Sequence, residues 1–177
     1  EIRHLAYWDR LTGLPNREKF RETLKLTIEA YQKLSTPLVV ITLNLDRFKH
    51  VNDVMGYAFG DELLKAVAQR LQQQVYRPED LVARLGGDEF AILLTGADMQ
   101  VASVVIDRIA KAFEEPLSLN GQTVDVHACM GGACWPHDAD DADLLLSRSE
   151  IAMHAAKAQI MNVLFYTPSL DSSSAQT

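Results

Sequence analysis

Eight consecutive residues, Leu38–Leu45 (LVVITLNL), set the strongest limit on what this chain can fold into. They are mostly apolar and rich in β-branching, so as a strand they need cover on both faces. A sheet flanked by helices meets that need, and the rest of the sequence supplies the helices. Phe20, Leu24 and Ile28 recur every four residues and predict an amphipathic helix over 17–34. Asn16 is its N-cap after the Gly13–Pro15 turn, and Ser35-Thr36-Pro37 stops it. Leu63, Leu64, Val67, Leu71 and Val75 predict a second helix from Asp61, which reads as its cap, to about Tyr76. The preceding stretch, Asp46–Tyr57, reads as short polar and aromatic pieces.

Leu81–Leu85 and Phe90–Leu94 read as strands joined through Gly86-Gly87, a pair suited to a tight turn with positive φ. Val101, Val104, Val105, Ile109 and Ala112 predict a third helix. Asn120-Gly121 marks a second hairpin between Leu117–Leu119 and Thr123–Val126, with Ala128–Cys134 continuing the latter strand. Asp140, Asp141 and Asp143 suit the start of a fourth helix, which runs to about Gln159. Val163–Tyr166 is a last strand. This order contains β-α-β-β-α-β, the split unit of ferredoxin-like folds. The expected class is α/β (α+β): one domain, with a central, mostly antiparallel sheet covered by helices. Residues 1–10 read as the end of an entering helix, 11–166 as the domain and 167–177 as a disordered tail or linker.

At 177 residues such a domain buries about 70% of its unfolded surface. The 47% apolar and 23% charged content is that of a globular protein. A formal charge of -7 argues against nucleic-acid polymers and anionic membranes, but not against a metal-bound nucleotide. Cys129 and Cys134 lie five apart, so on one strand they point to opposite faces. A disulfide or zinc site is not expected, and a reducing, cytoplasmic setting is. No apolar run reaches the roughly 18 residues of a membrane span, and no signal segment is visible. The chain starts at Glu1 rather than Met, and an excised domain of a longer protein is the expectation.

The chemistry concentrates at Arg84-Leu85-Gly86-Gly87-Asp88-Glu89-Phe90. Two glycines let phosphates approach the backbone, and two carboxylates follow at once. Mg²⁺ takes hard oxygen ligands, usually one or two carboxylates plus substrate phosphates. An ordinary acidic turn is the bland alternative. Asn44 and Asp46, two apart, share a face at the end of the first strand. Asn52 and Asp61 flank a Gly-bracketed loop, and together could match the Watson–Crick edge of guanine. Capping is their bland alternative. The histidines show no ligand spacing, and Met130 and Met153 read as core fillers.

Four strings in order, LTGLPNR, LDRFKHVND…G…GDELL, ARLGGDEFAILL and AMHAAK, resemble the GGDEF family of diguanylate cyclases, over about Asp9 to Tyr166. Glu115-Pro116-Leu117 and Trp135-Pro136-His137-Asp138 are similar to the GGDEF half of tandem, bacterial GGDEF–EAL proteins. The resemblance implies two domains meeting face to face as a homodimer, each holding one GTP. Each 3′-hydroxyl attacks the other's α-phosphate, giving cyclic di-GMP and two pyrophosphates. It implies Mg²⁺ or Mn²⁺ on Asp88, Asn44, the Leu45 backbone and Glu89. Asp88, Glu89 and Lys49 take the catalytic positions. Gly86 and Gly87 contact phosphate, Asn52 and Asp61 read guanine, and Lys49 and Lys157 neutralise phosphate. An N-terminal sensor and a C-terminal EAL domain are the implied neighbours, and the chain is expected in the cytoplasm or as the cytoplasmic part of a membrane-bound protein.

Two positions depart from the family pattern. Asn44 stands where a metal-binding Asp is usual. In Lys157-Ala158-Gln159-Ile160-Met161-Asn162, Met161 stands where the Arg of Gly-Arg-Asn is usual. Milder changes are Tyr57 for a usual His and His154 for a usual Tyr. One metal-binding and one phosphate-binding charge are missing, and a few kcal/mol of transition-state stabilisation is about 10²–10³ in rate. Cyclase activity is therefore expected to be weak or lost, leaving a nucleotide-binding regulatory module. A fully active cyclase and a ligand-free dimerisation domain are the alternatives. Arg77-Pro78-Glu79-Asp80 matches the family's inhibitory product site, Arg-x-x-Asp five residues before the glycines, with Arg108 as a further contact. A surface turn with an intraloop ion pair is its bland alternative.

Overall fold

The computed structural model describes residues 6–171. In chain order its elements are α1 (Arg17–Gln32), β1 (Leu38–Leu45), α2 (Phe48–Met55), α3 (Tyr57–Gln74), β2 (Leu81–Gly86) and β3 (Glu89–Thr95). They continue with α4 (Met99–Glu114), β4 (Leu117–Leu119), β5 (Gln122–Val124), β6 (Ala128–Trp135), α5 (Ala142–Ala158) and β7 (Val163–Phe165). Five strands form one mixed sheet in the order β2-β3-β1-β6-β7. β1 runs antiparallel to both β3 and β6, β2 antiparallel to β3, and β7 parallel to β6.

All eight residues of β1 are buried, as its composition requires. Period-two alternation sends its side chains into two separate cores. Val39, Ile41, Leu43 and Leu45 pack with Leu63, Leu64, Val67 and Leu71 of α3 and Ile106 and Ile109 of α4. Leu38 and Val40 pack with Phe20, Leu24 and Ile28 of α1 and Leu145, Leu146 and Ala152 of α5. Each such fully buried side chain contributes about 1.5–3 kcal/mol by leaving water. Asn16 caps α1 through its side chain, as expected, and Asp98 and Asp141 cap α4 and α5.

Several boundaries differ from the sequence expectation. Residues 48–55 form a helix rather than loose pieces; in only eight residues, Phe48 and Val51 are the side chains packed on the core, too short a stripe to read as periodicity. α3 begins at Tyr57 with Gly56 at its cap, so Asp61 lies inside the helix and caps nothing. The hairpin turn falls on Gly87-Asp88, because Gly86 still pairs with Glu89 across a bulge. β5 does not run on into β6. It pairs only with β4 in a two-stranded sheet, and Val126 turns into the core between them. The expected tail begins later than 167, since 168–171 are helical, Leu170 packs on the second core and Asp171 accepts from the Tyr166 hydroxyl at 3.0 Å. Residues 6–7 are helical, while 1–5 and 172–177, the rest of the entering helix and tail expectations, lie outside the described residues.

Candidate functional site

The hairpin is built from a backbone that only glycine adopts easily. Gly86 has φ 140° and Gly87 φ 52°, so the chain turns within two residues and leaves both glycines exposed. Arg84 braces the turn from below. Its guanidinium donates to the Gly87 carbonyl at 2.8 and 3.1 Å and to the Asp9 carboxylate at 3.0 and 3.2 Å. Asp9 also accepts from the Thr12 amide at 2.9 Å and its hydroxyl at 2.7 Å. On the far side, the Leu45 amide donates to the Asp88 carbonyl at 3.1 Å, joining the turn to the end of β1.

Strand register assembles the charged floor of the site. Asn44 is the partner of Glu89 on β3 and of Cys129 on β6. Directly opposed residues share a face, so Glu89, Asn44 and Cys129 form one row across three strands. That face is covered by α5, held down where the Thr42 hydroxyl donates to the Ser149 carbonyl at 2.9 Å. The Asn44 amide donates from Nδ2 to Asp88 Oδ1 at 2.9 Å. Its Oδ1 accepts from the Lys157 ammonium on α5. Asp46 accepts from the Cys129 thiol at 3.3 Å, and burial, then that contact, pushes the thiol up to about 11.

Glu89 turns inward to two residues that sequence reading did not single out. Arg17, the first residue of α1, lies 3.5 Å from Glu89 and 3.2 Å from Glu150 on α5. Burial, then a hydrogen bond with Glu150, pushes Glu89 up to about 8. Burial would raise Glu150 as well, but the hydrogen bond from Glu89 and the Arg17 guanidinium outweigh it and hold Glu150 below the usual carboxylate range. Glu150 stands two helical turns before Lys157, on the same face, which was the available signal. Cys129 had none, because strand register is not written in its neighbours.

The side chains expected to hold Mg²⁺ or Mn²⁺ are thus already partnered: Asn44 with Lys157 and Asp88, Glu89 with Arg17 and Glu150. Among the described residues no group of three or more His, Cys, Asp or Glu is arranged to hold a metal ion. As they stand, these residues do not fit a divalent ion held by the chain alone.

A family model described as "Diguanylate cyclase, GGDEF domain" matches residues 6–163. The chain belongs to the GGDEF family. The diguanylate cyclase TpbB of Pseudomonas aeruginosa is 40% identical over 163 residues, covering 89% of this chain and 37% of TpbB. The cyclic di-GMP phosphodiesterase NbdA of the same species is 36% identical over 157 residues, covering 89% of this chain and 20% of NbdA. The solved structure of the GGDEF domain of TpbB superposes with a TM-score of 0.86 at 36% identity, covering 91% of this chain and 95% of that one. The chain spans 37% and 20% of the length of those two relatives. A tandem GGDEF–EAL origin is only loosely supported, since relatives named for cyclase and for phosphodiesterase activity both match.

The remaining predicted residues of this GGDEF domain are spread over α2, α3, the turn before β2, α4 and the turn after α5. Lys49 is exposed on α2. Asn52, also on α2, presses on Gly60, and its Oδ1 is buried with no hydrogen-bond partner. Asp61, next to Gly60, is exposed on α3. Met161 is half-exposed beyond α5, next to Ile160, which is 94% exposed with φ 57°. Arg77 is tied to Asp80 at 2.7 Å and to the Thr95 carbonyl at 3.0 Å. The Asp80 carboxylate is turned inward and accepts from the Thr95 amide at 3.0 Å. Arg108 donates to the Gln74 carbonyl and stacks on Tyr76. It lines a cleft of about 680 Å³ between α3 and α4, with Arg70, Asp107 and Lys111, away from the hairpin. Among the described residues, no helix is long and apolar enough to cross a membrane.

Proposed function

We propose that this GGDEF domain is a nucleotide-binding regulatory module of cyclic di-GMP signalling. It binds GTP at the Gly86-Gly87 turn, and its cyclase activity (two GTP to cyclic di-GMP and two pyrophosphates) is weak or lost. The observation that carries this reading is the position of Asn44, an amide wedged between the Lys157 ammonium and the Asp88 carboxylate. Gly86 and Gly87 take the phosphates, and Lys49 and Lys157 supply positive charge to them. Asn52, packed on Gly60, and Asp61, exposed next to that glycine, read guanine. Mg²⁺ or Mn²⁺ accompanies GTP as the counter-ion of its phosphates.

Asp88, Glu89 and Lys49 remain the residues on which any residual turnover depends, and turnover needs a homodimer. The domain works in the cytoplasm, attached to a sensor and possessing or controlling a linked EAL domain. The test is to restore Asn44→Asp and Met161→Arg together and to measure cyclic di-GMP by chromatography. A double variant about 10²–10³ faster than the starting chain is expected. A starting chain already as fast as the double variant defeats the reading.

A second reading keeps full activity and places inhibitory cyclic di-GMP at Arg77, Asp80 and Arg108. The partly exposed guanidinium of Arg77, with 41% of its side chain accessible, supports it. Calorimetry with cyclic di-GMP on the chain and on Arg77→Ala tests it, with loss of binding in the variant expected.

A further inference from the structure

We infer that Lys157, held through Asn44, is a built-in cation that replaces a chain-held divalent ion at this site. The amide of Asn44 has two possible orientations, and its neighbours permit one. Turned as it is, its NH₂ meets the Asp88 carboxylate and its oxygen meets the Lys157 ammonium. Reversed, it would set oxygen against carboxylate 2.9 Å away and NH₂ against ammonium, two repulsions in place of two charge-assisted hydrogen bonds. The only side-chain oxygen Asn44 could offer a metal is therefore committed to Lys157. Toward Asp88 the amide presents NH₂ hydrogens, which cannot coordinate a cation.

The other carboxylate in the row cannot compensate. Glu89 is drawn inward by Arg17, 3.5 Å away, and its side chain is only 16% exposed. A divalent ion needs several oxygens, and its affinity follows the number of ligand charges. Asp88 and Asp46 remain, Asp46 on the Cys129 thiol and Asp88 on the Asn44 amide, with the Lys157 ammonium on the other side of that amide. The ammonium charge is fixed by folding and needs no ion from solution. A phosphate entering over Gly86-Gly87 then meets a cation whether or not Mg²⁺ is present. This extends the nucleotide-binding reading above, on which its GTP arm rests; its metal arm stands alone.

The metal arm titrates Mn²⁺ into the nucleotide-free chain and follows the free ion by electron paramagnetic resonance. The starting chain leaves Mn²⁺ free, and Asn44→Asp binds one equivalent at least about tenfold more tightly. One Mn²⁺ bound by the starting chain as tightly as by Asn44→Asp overturns the inference. The GTP arm compares calorimetric affinities in EDTA and in Mg²⁺, expected to agree within about threefold for the starting chain. Lys157→Met, at an exposed helix position that does not threaten folding, is expected to lose at least about tenfold in EDTA. Unchanged binding by Lys157→Met in EDTA also overturns the inference. Absence of GTP binding in both buffers rejects the nucleotide reading instead, and the Mn²⁺ titration alone then decides this one.

Discussion

Arg84 Nη1 and Asp9 Oδ1 lie 3.0 Å apart, with side chains only 14% and 18% exposed. Through this pair the loop before α1 holds the arginine that in turn holds Gly87. Entry to the domain and the Gly86-Gly87 turn are therefore one mechanical unit.

Arg84→Met keeps the stem and removes the fork. It leaves the Asp9 carboxylate and Gly87 carbonyl without this donor. We expect a loss of about 2–3 kcal/mol, read from urea unfolding midpoints. Asp9→Asn should cost less, and the double variant less than the sum of the two, because the pair is coupled.

Asp9 also makes stability depend on pH. Burial opposes its charge, but the Thr12 hydrogen bonds and Arg84 more than offset this and hold its carboxyl below the ordinary 3.8. A carboxylate depressed in the folded state binds fewer protons folded than unfolded. Its contribution is full above 3.8 and is lost as pH falls through the lower folded value. Unfolding free energies between pH 5 and pH 2, compared with Asp9→Asn, should show a shallower acid limb in the variant. Parallel limbs would show that Asp9 carries no such linkage.

Gly131 lies where α5 crosses β6. A Cβ there would collide with the backbone of Ser149 and Met153, which no side-chain rotation can relieve. Gly131→Ala should lose about 3 kcal/mol or more and lower the melting temperature accordingly. Gly87→Ala is a useful contrast, because a Cβ there meets nothing within 4 Å and only its positive φ resists. A loss of about 1 kcal/mol is expected.

Ile160 is β-branched, 94% exposed and held at φ 57°. That backbone suits glycine, and the exposed side chain returns little packing. Ile160→Gly should raise stability by about 1 kcal/mol despite the added freedom of the unfolded chain. GTP affinity, measured alongside, should stay unchanged.

The sequence by itself determined the layers and most of the elements. The mostly apolar run of β1 demanded helices on both faces, the four-residue stripe of Phe20, Leu24 and Ile28 named the buried side of α1, and Gly86-Gly87 located the hairpin. These are local signals, carried by periodicity and by residues with special backbone freedom. The family strings named Asp88, Glu89, Asn52, Asp61 and Lys157 for the same reason. What α2 and the start of α3 do was lost, because eight residues hold too little periodicity and Gly56, not Asp61, occupies the cap. The row Glu89–Asn44–Cys129 was decided only by tertiary structure. Strand register depends on how β1 pairs with two strands distant in sequence, and no residue in the row reports it. The same holds for Lys157 reaching Asn44 and for Arg17 and Glu150 closing on Glu89. Sequence could show that a carboxylate was missing at Asn44; only packing could show that an ammonium had taken up the space beside it.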